Sequence, residues 1–451
     1  MNPKLADPSL VFASLFLAAA VASAQPGGLL PPPLPLFPAD NWWNVDVSAA
    51  PLDPNSASFI QRIGGGTPLH PDFGGDAEPF PTTYGMVYLS VPGTQPLVPV
   101  TFVEYGNESD AGAPGRPAGY PIPPEAKTQP RYIEGGWAGD SDEAEGDRHM
   151  LIVDRDHRLL FELYHARFDS GQNRWEAGSG AVFDLASNAR RPEGWTSADA
   201  AGLAILPGLV RYDEVFGADP IRHALRFTID ASNGYVFPAS HDAGDAAGAL
   251  PMGARLRLKA AKDIAGYPPE VRKIFQAMKT YGLIVADNGS DMFIQGTYDP
   301  RWDNDVLNPA FASLHASDFE VVQRGWRPPE PPPPPRCVAG DLTLCLNGER
   351  FEVRADWSAP NGQGGNGHAV PLTADTGTFW FFASSNVEVV VKVLQGCATN
   401  DRYWVFAGGL TNVRVRLTVR DARTGAIKQY TNPQGAAFRP IQDTQAFATC
   451  P

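Results

Sequence analysis

The residues best suited to proton transfer lie in the stretch GDRHMLIVDRDHRLLFELYH at 146–165. Two β-prone runs flank Asp154–His157, so the spacing predicts a hairpin. That register sets Val153 opposite Arg158, Leu151 opposite Leu160, His149 opposite Glu162, and Asp147 opposite Tyr164. Directly opposed residues share a face of the sheet. An imidazole held by a carboxylate beside a phenol is a constellation for general acid–base work. The competing reading is a satisfied His–Glu pair or a polar rim.

A second hairpin is expected from Ile221–Ile229 and Tyr235–His241, turning through Asp230–Gly234. It places His223 opposite His241 and puts Arg226 on the other side, where only a twist or bulge would bring it to His241. Two facing histidines could ligate a metal with a third group, but no H-x-H or H-E-x-x-H spacing supports this. Pro238 confines the second run to an edge or ends its pairing. Arg211, Asp213 and Glu214 follow the turn Pro207-Gly208 and form a further polar group. Arg211, Asp213 and His223 are expected to contact substrate. The acidic loop GDSDEAEGD at 139–147 offers Asp140, Asp142 and Glu145 as weak calcium ligands, though its spacing does not fit an EF-hand and a solvated loop competes. No cofactor is required by any motif; calcium is the one expected option. The region before Cys337 has no cysteine, which excludes a thiol nucleophile there, and no G-x-S-x-G elbow is present.

These side chains need a scaffold, and composition restricts it. Among 451 residues there are 45 Gly and 44 Pro, a density that breaks long helices and favours short strands joined by turns. The 36 Lys and Arg against 50 Asp and Glu give a net charge of −14, which argues against nucleic acid as a partner. Residues 1–24 read as a secretory signal: Lys4, the apolar run Val11–Val21, and Ala22-Ser23-Ala24 as the cleavage site. The expected location is secreted or periplasmic, with no membrane span after cleavage. Residues 25–35 (QPGGLLPPPLP) and the proline run 328–335 read as linkers. They bound a large region, 36–327, and a small one, 336–451.

The large region is expected to be mainly β, a jelly-roll-like or β-sandwich domain with one or two helices. One helix follows Pro268-Pro269-Glu270, carries Val271, Ile274, Phe275 and Met278 on one stripe, and ends at Gly282. A short second helix is expected from Thr196, with Asp199 completing a capping box. Strands are expected over 85–91, 98–105, 149–154, 158–165, 222–229, 235–239, 255–259 and 283–287, mostly in antiparallel hairpins. The small region reads as an Ig-like β-sandwich of about seven strands, opened by a hairpin at Asn347-Gly348. Its four cysteines allow three pairings, of which Cys337–Cys345 with Cys397–Cys450 is preferred; zinc is disfavoured for lack of C-x-x-C.

The runs LCLNGERFEVRADW, TGTFWFFASSNVEVVVKVLQGC and YWVFAGGLTNVRVRLTVRDARTG resemble a module found at the carboxyl end of secreted bacterial proteins. That resemblance implies an accessory role and no catalysis. Of its large aromatics Trp380, Phe381, Tyr403 and Trp404, most are expected in the core, with a sugar-stacking platform as the alternative. The stretches FPADNWWN, GDRHMLIVD, GWTSADAAGLAILPGLVRYDEV, IRHALRF and KTYGLIVADNG resemble an uncharacterised family of secreted bacterial proteins with no assigned reaction.

Together these features predict an exported monomer that acts on, or binds, extracellular polysaccharide or envelope glycan. Hydrolysis or elimination from a uronate would use His149, Glu162, Tyr164, Arg226 and His241. A non-catalytic binding protein is the alternative, and a His-ligated metal enzyme the weaker one.

Overall fold

The computed structural model describes residues 25–78, 80, 82–112, 117–136, 146–328 and 334–450. The expected signal segment 1–24, the acidic residues Asp140, Asp142 and Glu145, and most of the proline run lie outside them. The chain divides into two compact units at Pro328 and Pro329. It is mainly β, with 33% strand against 13% helix.

In the first unit a five-stranded sheet is ordered Gln25–Pro26, Tyr88–Val91, Met150–Asp154, Leu159–Tyr164, Ser179–Asp184. Met150–Asp154 is buried at every position, because both faces of this sheet are covered. Leu151, Val153, Leu160 and Phe183 enter one core, while Met150, Ile152, Phe161 and Val182 enter another with Tyr120 and Trp175. Such a doubly covered strand reads as a continuous apolar run rather than an alternating one. A six-stranded sheet contributes Leu225, Phe227, Leu256 and Leu283 to the first core. The helix Pro269–Thr280 forms as its stripe predicts, burying Val271, Ile274, Phe275 and Met278. It ends before Gly282, whose φ of 77° suits glycine.

Several expectations change. Residues 25–35 are not a free spacer. Gln25 and Pro26 pair with Ser90 and Leu89, and Arg158 donates to the carbonyls of Pro31, Pro32 and Leu36. Antiparallel hairpins do not monopolise the unit: Leu225–Ile229 runs parallel to Leu283–Asn288, and Tyr88–Val91 parallel to Met150–Asp154. The predicted strand 235–239 is absent, since Phe237 and Pro238 sit in a turn. No helix starts at Thr196; its hydroxyl donates to the Asp199 carbonyl within a compact loop. Helices unread in the sequence form at Ser56–Ile63, Tyr212–Phe216 and Asn304–Ala312.

The second unit is a two-sheet sandwich of ten strands. Its disulfides are Cys337–Cys345 and Cys397–Cys450, the preferred pairing. The first hairpin pairs Leu346 with Phe351, so the loop spans four residues rather than two. Phe381 and Tyr403 are core; Trp380 and Trp404 are half-buried on the outer side of their sheet. Among the described residues no helix is long and apolar enough to cross a membrane.

Candidate functional site

The first hairpin forms, but its register differs from the prediction. Leu151 pairs with Glu162 and Val153 with Leu160, so His149 and Glu162 share a face without being partners. The shift keeps every residue on its predicted face. Glu162 has no exposed surface, and its carboxylate accepts from the backbone N–H groups of Ile205 and Leu206 at 2.9–3.0 Å. It therefore caps the turn Leu206–Gly208. Burial, reinforced by the nearby Asp199 and opposed by those two bonds, pushes its carboxyl up to about 7. A group so enclosed cannot touch a ligand, and the expected His149–Glu162 pair does not exist.

His149 is paired elsewhere. Its Nδ1 lies 2.6 Å from Glu134 Oε2, and its Nε2 lies 3.0 Å from the Ala198 carbonyl. Both ring nitrogens face acceptors, so the ring donates from both and is an imidazolium. Burial opposes that charge, but Glu134 outweighs it and lifts the ring to about 9. A ring that is already protonated and has both N–H groups engaged is no general base. Its work is to hold the 196–200 loop against the sheet.

Arg226 is likewise sealed. Its Nε and Nη2 donate to the two oxygens of Asp199 at 2.8 and 2.7 Å, a fork-on-fork pair. Nη2 also reaches Asp287 Oδ2 at 3.1 Å. Asp287 arrives there through a bulge. Phe227 pairs with Val285, but Thr228 pairs with Asp287, which leaves Ala286 as an extra residue. The bulge carbonyl of Ala286 accepts from Ala201 N–H and so ties the loop to the strand. Arg191 clamps the same loop from behind, donating to the Thr196 and Glu108 carbonyls and to Asp110.

These parts enclose a cavity of about 370 Å³, within the size range of small-ligand sites. Its wall includes Asp147, Tyr164, Ser179, Asp199, His241 and Asp287. Tyr164 and Ser179 are cross-strand partners at the end of the five-stranded sheet. His241 is held at Nδ1 by the Ala200 carbonyl, 2.9 Å away, which sets the proton there. Its Nε2 is left with Glu108 Oε2 at 3.8 Å, too far for a hydrogen bond. Asn288 donates from Nδ2 to the Ala243 carbonyl, joining the end of the Asp287 strand to the His241 segment. Burial, with Asp199 adding its charge, pushes the Asp287 carboxyl up to about 6 even against Arg226. Burial likewise takes the Tyr164 hydroxyl up to about 12, so it stays a neutral donor. Among the described residues no Lys or Arg lines this wall.

The structure thus brings Tyr164 and His241 to one cavity and sets Arg226 behind it. It does not bring His223 to His241. Without the second hairpin, His223 turns instead to Glu214, with Nε2 3.0 Å from Oε2, while Arg211 pairs with Glu214 and Asp213. Arg211, Asp213 and His223 line a separate cavity of about 220 Å³. Among the described residues no three His, Cys, Asp or Glu side chains are grouped to hold a metal ion. Asp199 was expected to complete a capping box, and Asp287 was not singled out for proton transfer. The legible signal was a carboxylate ending the apolar run Leu283–Ala286, where a buried strand opens to a rim. The chain matches no protein-family model, no curated protein and no solved structure.

Proposed function

We propose that the first unit is an exported acid–base hydrolase of neutral extracellular glycans. The observation that carries this reading is the cavity whose wall holds both Asp287, its carboxyl raised to about 6, and His241, whose Nδ1 is committed to the Ala200 carbonyl. Hydrolysis needs one group to give a proton to the leaving oxygen and another to take one from the attacking water. Asp287 is the donor and His241 the acceptor. The water oxygen bonds to the sugar carbon as the glycosidic C–O bond breaks, and both side chains reset by exchange with solvent. Tyr164 and Ser179 offer hydroxyls to the sugar.

Elimination from a uronate is disfavoured by the same wall. Arg226 is consumed by Asp199 and Asp287, and a substrate carboxylate would meet Asp147 and Asp287 with no cation to neutralise it. The test is a screen of the purified chain on neutral and uronic polysaccharides, recording reducing ends and unsaturated products. New reducing ends from a neutral polymer, abolished by Asp287→Asn and His241→Ala, are expected. Unsaturated products, or turnover that survives both substitutions, would overturn the assignment. Retention of a glycan without turnover would instead favour a binding protein.

A further inference from the structure

The two outer faces of the second unit are built from different chemistry. One sheet pairs Phe351–Ser358 with Arg414–Asp421. Between their buried residues, Glu352, Arg354, Asp356, Arg416 and Arg420 point outward, and Arg416 meets Asp356 at 2.8 Å and Arg420 meets Glu352 at 3.7 Å. This is the charged, solvated face that an antiparallel sheet presents to water.

The other sheet does not follow that pattern. Along Thr376–Trp380, Val389–Gln395 and Tyr403–Gly409, the inward residues Phe379, Val389, Val391, Val393, Tyr403 and Val405 are core. The alternate positions turn outward and carry Trp380, Val390, Trp404 and Phe406, with Lys392 the charge among them. Val390 is 42% exposed. Trp380 lies near one end of the three strands and Trp404 near the other, about 20 Å apart along the strand direction. Thr376, Lys392 and Gln442 stand beside Phe406 in the same row.

Both indoles are fixed in place. Trp380 is stacked on His368 with centroids 3.9 Å apart and planes 9° from parallel, and His368 Nδ1 is 2.7 Å from Asp341. Trp404 donates from Nε1 to Asn400 Oδ1 at 2.8 Å, and its ring lies against Gly396, where any Cβ would collide with it. Rings held this way lose little freedom when something docks on them.

We infer that this face is a binding platform for an extended neutral polysaccharide. Pyranose rings present C–H faces that stack on indole and phenyl planes, and their hydroxyls bond to groups set between the rings. Two aromatic positions toward opposite ends of the strands, Trp380 and the Trp404–Phe406 pair whose rings meet edge-on at 6.4 Å, with Thr376, Lys392 and Gln442 in the row of Phe406, suit a linear chain of sugars. Lys392 is the one charge among the outward positions of these three strands, and the exposed Asp341 beside the His368–Trp380 stack adds a carboxylate, so an acidic polymer is disfavoured there. The inference concerns a second site and does not require that the first unit be catalytic.

The experiment uses the full chain as the Asp287→Asn variant, so that turnover cannot consume the ligand. Depletion from solution by microcrystalline cellulose, chitin and starch granules is measured, with alginate gel as the acidic control. Retention by at least one neutral polymer is expected, and Trp380→Ala with Trp404→Ala should weaken it roughly tenfold or more while circular dichroism shows the chain still folded at the assay temperature. Arg416→Ala, on the opposite face, should leave it unchanged. Retention by none of the neutral polymers, retention by alginate alone, or retention indifferent to the two tryptophans would overturn the inference. So would loss of a dimer on gel filtration in the double variant, which would make the face a contact between copies. If His241→Ala abolishes retention and the tryptophan variant does not, the glycan sits in the cavity and this platform is refuted while the cavity reading stands.

Discussion

Arg226 and Asp287 meet because one residue, Ala286, is surplus to the ladder between their strands. Arg226 lies opposite Ile284, and an unbroken register would set Ala286 opposite Thr228 on the Arg226 side. The bulge puts Asp287 there instead, 3.1 Å from the guanidinium. A single irregularity thereby converts a buried Arg–Asp pair into the floor of a polar cavity, which is a recurrent use of bulges beside functional sites.

The Asp287 carboxyl sits at about 6, raised from 3.8 by burial and by Asp199. As a proton donor it is competent below that value and spent above it, so turnover should fall as pH rises through about 6. Asp287→Asn should abolish turnover at every pH. Because the raised value means that ionising the folded state costs stability, the same substitution should hold or raise the melting temperature above pH 6. A rate profile that climbs through pH 6–8 would count against Asp287 as the acid.

Glu162→Ala should behave as a folding variant. It removes the acceptor for the Ile205 and Leu206 N–H groups in a site without solvent, which costs about 2–4 kcal/mol. Chemical denaturation should show this loss, while whatever fraction folds keeps the pH profile of the parent. A changed profile with unchanged stability would contradict the capping role.

The His149–Glu134 pair should give stability a pH window. The His149 value is raised from 6.5 to about 9. Its contribution is fully present below 6.5 and is lost as pH rises through 9, a difference on the order of 3 kcal/mol. Glu134 is lowered, its burial outweighed by His149, so its share is present above 4.5 and disappears as pH falls through its folded value. Unfolding free energies measured from pH 6 to 10 should therefore decline in the parent and lie flatter in His149→Gln.

Arg226→Met should destabilise by about 3–5 kcal/mol, because it strands Asp199 as a buried carboxylate without its partner. Arg226→Lys should recover part of this, since it keeps the charge but not the fork. In Arg226→Met the Asp287 carboxyl loses its cationic support, so any remaining activity should extend to higher pH than in the parent. Equal stability of the two variants would contradict the bidentate pair as the main term.

The second unit should depend unequally on its disulfides. Cys397–Cys450 closes a separation of 53 residues and Cys337–Cys345 one of 8. Loop-closure entropy assigns them about 4 and about 2.5 kcal/mol. Cys397→Ser with Cys450→Ser should shift the denaturation midpoint further than the other double variant.

Much of this molecule was written in local patterns. Gly and Pro density set the strand-rich class, the stripe Val271–Met278 set its helix, and cysteine placement favoured the disulfides that form. The alternation around Leu151 and Leu160 put each residue of the first hairpin on the correct face, because parity survives the change of register. Partnership was another matter. Whether His149 meets Glu162 or Glu134, and whether His241 meets His223 or the Ala200 carbonyl, depends on contacts between residues far apart in the chain. No periodicity encodes a bulge at Ala286, or a loop at 196–200 pinned by Arg191 and Arg226. Local spacing dictated which face a side chain takes; only the packing of distant segments decided what stands in front of it.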